Sequence, residues 1–328
     1  MLKKNIIMSI QTKINISRNI HPKINKFKSQ LFFQSMAFMG MLFLLIFCYF
    51  PMFGLVMAFQ DFNPGLGFVH SEFVGFFNFM ELFSDPKFLL ALRNTVLLST
   101  TKFAFCFICP ILFALALNEV RNNRYKKLIQ TASYLPHFIS WVVLASMISL
   151  ILSTDQTGLL NALLVKLKII DDKVSYLSYP NYYFIMAVVS EIWKSTGFSA
   201  IIYIAAISGI DEQIIEAARV DGANRFQRIT KIILPSISNT ILYLFILGVG
   251  NIFGGGLGGS NFNQGFLLGN GLNQSISDVV ETYTLRHGLQ LGKFSYAAAA
   301  GLFLSIICLI MFLSANGLSR ILKDDSII

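Results

Sequence analysis

The sequence predicts an all-α integral membrane protein of six transmembrane helices. Two observations carry that expectation: an apolar composition, and six separate apolar stretches long enough to cross a bilayer. Of 328 residues, 55% are hydrophobic and only 13% charged, and the mean hydropathy is +0.63. A soluble domain needs a charged skin of roughly 25–35% Lys, Arg, Glu and Asp. Lipid is the solvent that tolerates a surface this apolar.

A span takes about 20 mostly apolar residues, because inside hydrocarbon every backbone polar group must be paired within the helix. The first stretch, 31–59, follows a basic tail over 1–30. It is too long for a signal-peptide core and no small-residue cleavage site closes it, so it reads as an uncleaved anchor. The first 25 or so residues, basic and without sustained periodicity, are expected to be poorly ordered. The second and third stretches cover 95–117 and 132–152. The fourth, 182–207, holds Glu191 and Lys194, and the fifth, 237–253, runs into a glycine-rich segment from Gly248 to Gly259. The sixth covers 296–315, and a short tail follows at 319–328.

Lysines and arginines cluster on one side of these spans. The tail holds Lys3, Lys4, Lys13, Arg18, Lys23, Lys26 and Lys28; the second loop Arg121, Arg124, Lys126 and Lys127; the fourth Arg219, Arg225, Arg228 and Lys231. The opposite loops carry acids, Glu281 among them. Both termini are therefore expected in the cytoplasm. The net charge of +9 is then mostly topogenic, and the expected contact is membrane lipid, with no nucleic acid.

Residues that suggest catalysis or metal binding have plainer readings. Cys48, Cys106, Cys109 and Cys308 all fall inside apolar spans, where reduced thiols act as small hydrophobes. The four histidines show no ligand spacing, and no G-x-x-x-x-G-K-[ST] occurs. No catalytic residue, metal site or cofactor is expected on this chain. The glycines from Gly248 onward suit close helix packing, with a broken helix as the second reading. Residues 158–169 place Leu160, Leu163, Leu164 and Leu167 on one helical face, either an interfacial helix or a covering loop helix.

A charge at mid-membrane costs roughly 2.5–3.5 kcal/mol on insertion scales, so charges inside spans need partners or water. Glu191 and Lys194, at i and i+3, either pair with each other or line a solute path with Ser195 and Phe198. Lys102 is expected to snorkel toward a helix end.

The loop at 209–235 reads as a helix, a turn at Gly222, and a second helix stopped by Pro235. Ile214, Ile215, Ala218, Phe226, Ile229, Ile232 and Ile233 supply apolar faces interleaved with charge, as a docking element requires. Glu216-Ala217-Ala218, three residues, Gly222, nine residues, then Ile232-Ile233-Leu234-Pro235 resembles the EAA signature of ABC importer permeases. The stretches Tyr134–Val143, Ile192–Gly197, Asp278–Tyr283 and Phe294–Ala298 are similar to the carbohydrate-uptake branch, particularly subunits that import complex oligosaccharides. The glycine run and Glu191 depart from that pattern.

The resemblance implies a type I ABC importer permease fold over 31–318, without catalysis of its own. It implies a second homologous permease subunit, two ABC ATPase subunits that bind the ATP, and an extracytoplasmic sugar-binding lipoprotein that delivers the sugar. Glu216, Ala217, Ala218, Asp221, Gly222, Leu234 and Pro235 would couple the chain to the ATPases. Glu191, Lys194, Tyr203 and Asn251 are candidates for the sugar path, since sugars need aromatic faces and hydrogen-bonding groups. The rival reading is an ion-coupled secondary transporter of small polar solutes. It calls for inverted repeats and several intramembrane acids, of which Glu191 is the only clear one.

Overall fold

The computed structural model describes residues 30–31, 33–253 and 260–323. The order expected of the first 25 residues, and that of the glycines beyond Phe253, lie outside the described residues. The chain divides into a unit ending at Val56 and a main body from Met57. The first unit holds most of one helix, α1 (Phe33–Phe59), which turns π at Leu45–Tyr49 and 3-10 at Phe50–Phe59. Pro51 sits at that change, where a missing amide breaks the α ladder. Phe33, Met39 and Phe47 stand exposed along α1, as lipid-facing side chains do.

The main body opens with a two-strand antiparallel ladder, Gln60–Asp61 against Glu72–Phe73. A short helix, α2 (Phe77–Ser84), follows, and Asn78 in it donates to the carbonyls of Ala58 and Gln60, each at 3.0 Å. The central helices are α3 (Pro86–Asn118) and α7 (Pro180–Ser208), which pack along each other more extensively than any other pair. α3 starts where Asp85 accepts from the Lys87 amide at 2.8 Å with Pro86 at the first helical position, a sequence-local start signal. Asp85 also accepts from the Tyr283 hydroxyl, and from Tyr296 at 3.3 Å. Its partial burial works to raise its pKa, but these hydroxyls and the amide hold it below the ordinary 3.8.

Four helices are long and apolar enough to cross a membrane among the described residues: α1, α3, α7 and the last, α13 (Phe294–Lys323). Two further helix pairs pass the same test only when taken together, each bent at a break, where the third and fifth spans are expected. The third is α4 (Asn123–Tyr134) with its 3-10 extension to Phe138, then α5 (Trp141–Leu152), at 98° to each other. The sequence led us to expect one continuous span over 132–152. Pro136 and the new N-cap at Ser140, whose Oγ accepts from the Val143 amide at 3.3 Å, break it. The fifth is α9 (Arg225–Ser236) then α10 (Ser238–Gly250), bent by 63°.

The glycines of α10 pack closely, as expected. A Cβ on Gly248 would lie 2.6 Å from the Phe103 ring, and one on Gly250 2.7 Å from Phe312. The helix also ends there, at Asn251, and the described chain resumes with α11 (Ser260–Leu268), packed against α5. Between α5 and α7, α6 (Leu159–Lys166) is clamped by the wholly buried Asn161, which donates to the carbonyls of Ser153 and Val174 at 2.9 and 3.0 Å. It is thus a bonded loop helix, while Leu159, Leu163 and Leu167 remain exposed.

α12 (Val280–Leu285) folds back into the body, its Val280 amide donating to Thr95 Oγ1 at 2.9 Å. Glu281, assigned from sequence to an outer loop, is consequently only 5% exposed, and neither carboxylate oxygen has a hydrogen-bond partner among the described residues. α13 continues to Lys323, well into the segment assigned to the C-terminal tail.

Candidate functional site

The loop between α7 and α10 folds as helix, turn and helix, and each boundary has a local cause. Asp211 caps α8 (Glu212–Val220), accepting from the Gln213 amide at 2.9 Å. α8 closes in a Schellman turn: the Ala223 amide reaches the Ala218 carbonyl at 2.9 Å and the Gly222 amide the Arg219 carbonyl at 3.1 Å. Gly222 has φ +79°, a conformation side chains with a Cβ resist. The spacing of Ala218 and Gly222 is therefore the spacing of this turn. Asn224 and Gln227 then form a capping box, each accepting from the other's amide at 2.8 Å.

Pro235 does not stop the second helix. α9 widens into a π turn at Ile229–Ile233, passes through Pro235 to Ser236, and breaks at Ile237. The π turn accommodates the proline's missing amide, and moves the bend two residues beyond the expected stop.

One side of this helix pair is anchored to the membrane helices. Ile233 and Ile237 are buried among Ala114, Leu115, Tyr203 and Ile207, so the pair is tied to α3 and α7 as well as to α10. Glu119, at the end of α3, lies 3.7 Å from Arg225 and 4.0 Å from Arg228. Such half-exposed pairs contribute about 0.2–1 kcal/mol, while a buried isoleucine contributes about 1.5–3. The apolar cluster is the stronger anchor.

The other side is bare. Ile214 is 52% exposed, Val220 87% and Phe226 74%, and Glu216, Ala217, Asp221, Gly222 and Pro235 are exposed beside them. Ala218 and Leu234 are half-buried. Large apolar side chains raised on a charged, rigid turn mark a docking surface.

The charged residues within the spans differ from expectation. Glu191 and Lys194 do not pair. Lys194 Nζ donates to the carbonyls of His137 at 2.7 Å, Ile139 at 2.5 Å and Pro136 at 3.4 Å, the groups freed where the third span bends. Glu191 keeps one buried oxygen without a hydrogen-bond partner among the described residues. Lys102 does not snorkel either. It is 5% exposed and donates to Asn261 at 2.7 Å and to Gln264, residues that sequence reasoning passed over.

A largely apolar cavity of about 470 Å³ lies between α3, α7 and α10, with Phe103, Phe107, Phe198, Ser199, Tyr203 and Gly248 among its lining. Of the four sugar-path candidates it takes in only Tyr203. Glu191, Lys194 and Asn251 line no part of it. Phe103 and Phe107, stacked at 5.8 Å, could have been found from their i, i+4 spacing opposite Phe198.

Long apolar helices and bent apolar pairs, with a capped helix pair projecting from their ends, define a multi-pass membrane protein. Residues 107–323 match the family described as binding-protein-dependent transport system inner membrane component, and the chain belongs to that family. It is thus a permease component of the inner membrane and not an enzyme. It is 41% identical over 281 residues to Protein LplB of Bacillus subtilis, covering 86% of each chain. With the polygalacturonan/rhamnogalacturonan transport system permease protein YteP of the same organism it shares 39% over 302 residues, 92% of each chain. It also superimposes on a chain from the crystal structure of a bacterial alginate ABC transporter in complex with alginate pentasaccharide-bound periplasmic protein. There the TM-score is 0.82 and the identity 36%, over 92% of this chain and 99% of that one.

Proposed function

We propose that this chain is one permease half of an ATP-driven ABC importer that moves an oligosaccharide across the plasma membrane. The observation that carries the coupling role is the bare face of α8, with its apolar side chains held on a Schellman turn. A cleft on a cytoplasmic ATPase subunit takes this face, and Glu216 meets a basic group there. Because Ile233 and Ile237 are buried among α3 and α7 residues, displacement of the pair when the ATPases close is passed to the helices around the aromatic cavity. ATP is bound by the partners, and this chain needs no cofactor.

A second permease subunit completes the path, and an extracytoplasmic binding lipoprotein delivers the sugar, in keeping with the periplasmic protein of the alginate transporter complex. The aromatic cavity supplies faces for stacking sugar rings. Lys194 donates to three carbonyls, so it does not offer its charge to an acidic sugar. The acidic saccharides named for YteP and for the alginate transporter favour a cargo of that kind, whose charge must then be met elsewhere in the complex.

Co-purification from membranes tests this reading: two P-loop ATPases should accompany the chain, and a cysteine at position 220 should crosslink to one of them. A crosslink to an extracytoplasmic protein instead would refute it. Reconstituting the complex and asking which oligosaccharide-loaded binding protein stimulates ATP hydrolysis identifies the cargo.

A further inference from the structure

Between the helix pair and the ends of α3 and α7 lies a cavity of about 860 Å³. We propose that it binds a phosphate-bearing anion through Arg121 and Arg219. Its charged lining consists of Arg121, Arg219, Arg225 and Arg228 against Glu119 and Glu212. Glu119 is engaged with Arg225 and Arg228, and Arg228 further donates to the Ala223 carbonyl at 3.0 Å, so these two arginines are wall. Arg121 and Arg219 have no ion pair within 4.0 Å among the described residues. Glu212 sits in the first turn of α8, away from Arg219 in its last.

The geometry points to phosphate in three ways. The guanidinium fork matches phosphate oxygens in a bidentate manner. The cavity lies at the ends of membrane helices, beside Asn118 and Ser208, where basic pockets meet lipid headgroups. Its volume exceeds a bare phosphate and admits a glycerophosphate headgroup. Glu212, Ile215 and Arg219, spaced three and four apart on α8, face the cavity, whereas Ile214 and Val220 face outward. A bound anion therefore braces α8 along the face that carries Glu212 and Arg219, next to Glu216 and clear of Ile214 and Val220, and its binding is read without any measurement of sugar import.

The headgroup of an anionic phospholipid and free phosphate share this chemistry, and one experiment separates them. The full-length chain is placed in nanodiscs of phosphatidylcholine alone or with added phosphatidylglycerol, and thermal unfolding is followed with a thiol-reactive dye at the four free cysteines. Inorganic phosphate is titrated into the phosphatidylcholine discs at constant ionic strength. Stabilisation by phosphatidylglycerol that is lost in R121Q/R219Q supports the site with lipid as its source; stabilisation by phosphate, lost likewise, supports the site with a soluble source. R121K/R219K should retain part of either shift. R124Q/K127Q removes equal charge from the neighbouring α4, outside the cavity, and should respond as wild type. No shift with either probe, an undiminished shift in R121Q/R219Q, or equal loss in R124Q/K127Q overturns the proposal.

Discussion

Lys102 Nζ donates to Asn261 Oδ1 at 2.7 Å, joining the middle of α3 to the first turn of α11 across 159 residues of chain. Asn261 passes the connection on to Ser99 at 2.7 Å, and Gln264 to the Ala187 carbonyl at 3.0 Å and Ser190 at 3.2 Å. A buried ammonium is thereby solvated by amides, and α3, α7 and α11 share one polar joint.

Cutting this joint should destabilise the fold. Asn261→Leu leaves a buried ammonium short of an acceptor, a change on the order of 3–5 kcal/mol. Lys102→Met orphans two amide oxygens, roughly 1–3 kcal/mol each, partly offset because no charge is buried any longer. Thermal unfolding in detergent should rank wild type above Lys102→Met and both above Asn261→Leu; equal midpoints would show the joint to be incidental.

Gly197 lets α7 meet α4 at closest approach. A Cβ there would lie 2.1 Å from the Ser133 carbonyl oxygen and 2.5 Å from its carbon, with backbone as the obstacle. Gly197→Ala should cost about 1–3 kcal/mol of overpacking and lower the yield of folded protein, whereas Gly301→Ala, with nothing within 4 Å, should not. Similar yields for the two variants would contradict the packing described.

At Gly222 no described atom lies within 4 Å of where a Cβ would stand, so only the backbone conformation resists substitution, by about 1–2 kcal/mol. Gly222→Asp and the exposed Glu216→Lys should therefore leave the protein inserted in the membrane and abolish uptake. Immunoblots of membranes alongside labelled-sugar uptake check both halves, and normal uptake in either variant would remove the coupling role.

Asp85 is held below its ordinary pKa of 3.8, so its bonds to Tyr283, Tyr296 and the Lys87 amide stabilise the fold at every pH above that value and are lost as pH falls through the lower folded-state pKa. Asp85→Asn should lower the unfolding midpoint at neutral pH, and the gap from wild type should narrow below pH 3.8. A gap that stays constant down to the acid limit would show that the carboxylate's charge is not what matters.

Much of the architecture was legible because its causes lie within a few residues. Long apolar runs announced the spans, and Asp211, Ala218, Gly222 and Asn224 encode the caps and turn of the coupling loop in their own spacing. What misled was partnership. Lys194 looked like a match for Glu191 one helical turn away, yet its carbonyl partners come from 55 to 58 residues off. Pro235 looked like a stop because a proline in an α ladder breaks it, and a π turn removed that conflict.

By itself, then, the sequence determined which solvent the chain inhabits, where its long apolar runs lie, and the helix and Gly222 turn of the loop that projects from them, since hydropathy and backbone dihedrals are local properties. The tertiary structure alone decided that the chain bends near Ser140 and Ile237, that Lys102 and Glu281 are buried, and which arginines beside α8 lack an ion pair among the described residues. Those outcomes depend on which distant donors and acceptors reach a polar group once water is excluded, and no spacing along the chain carries that information.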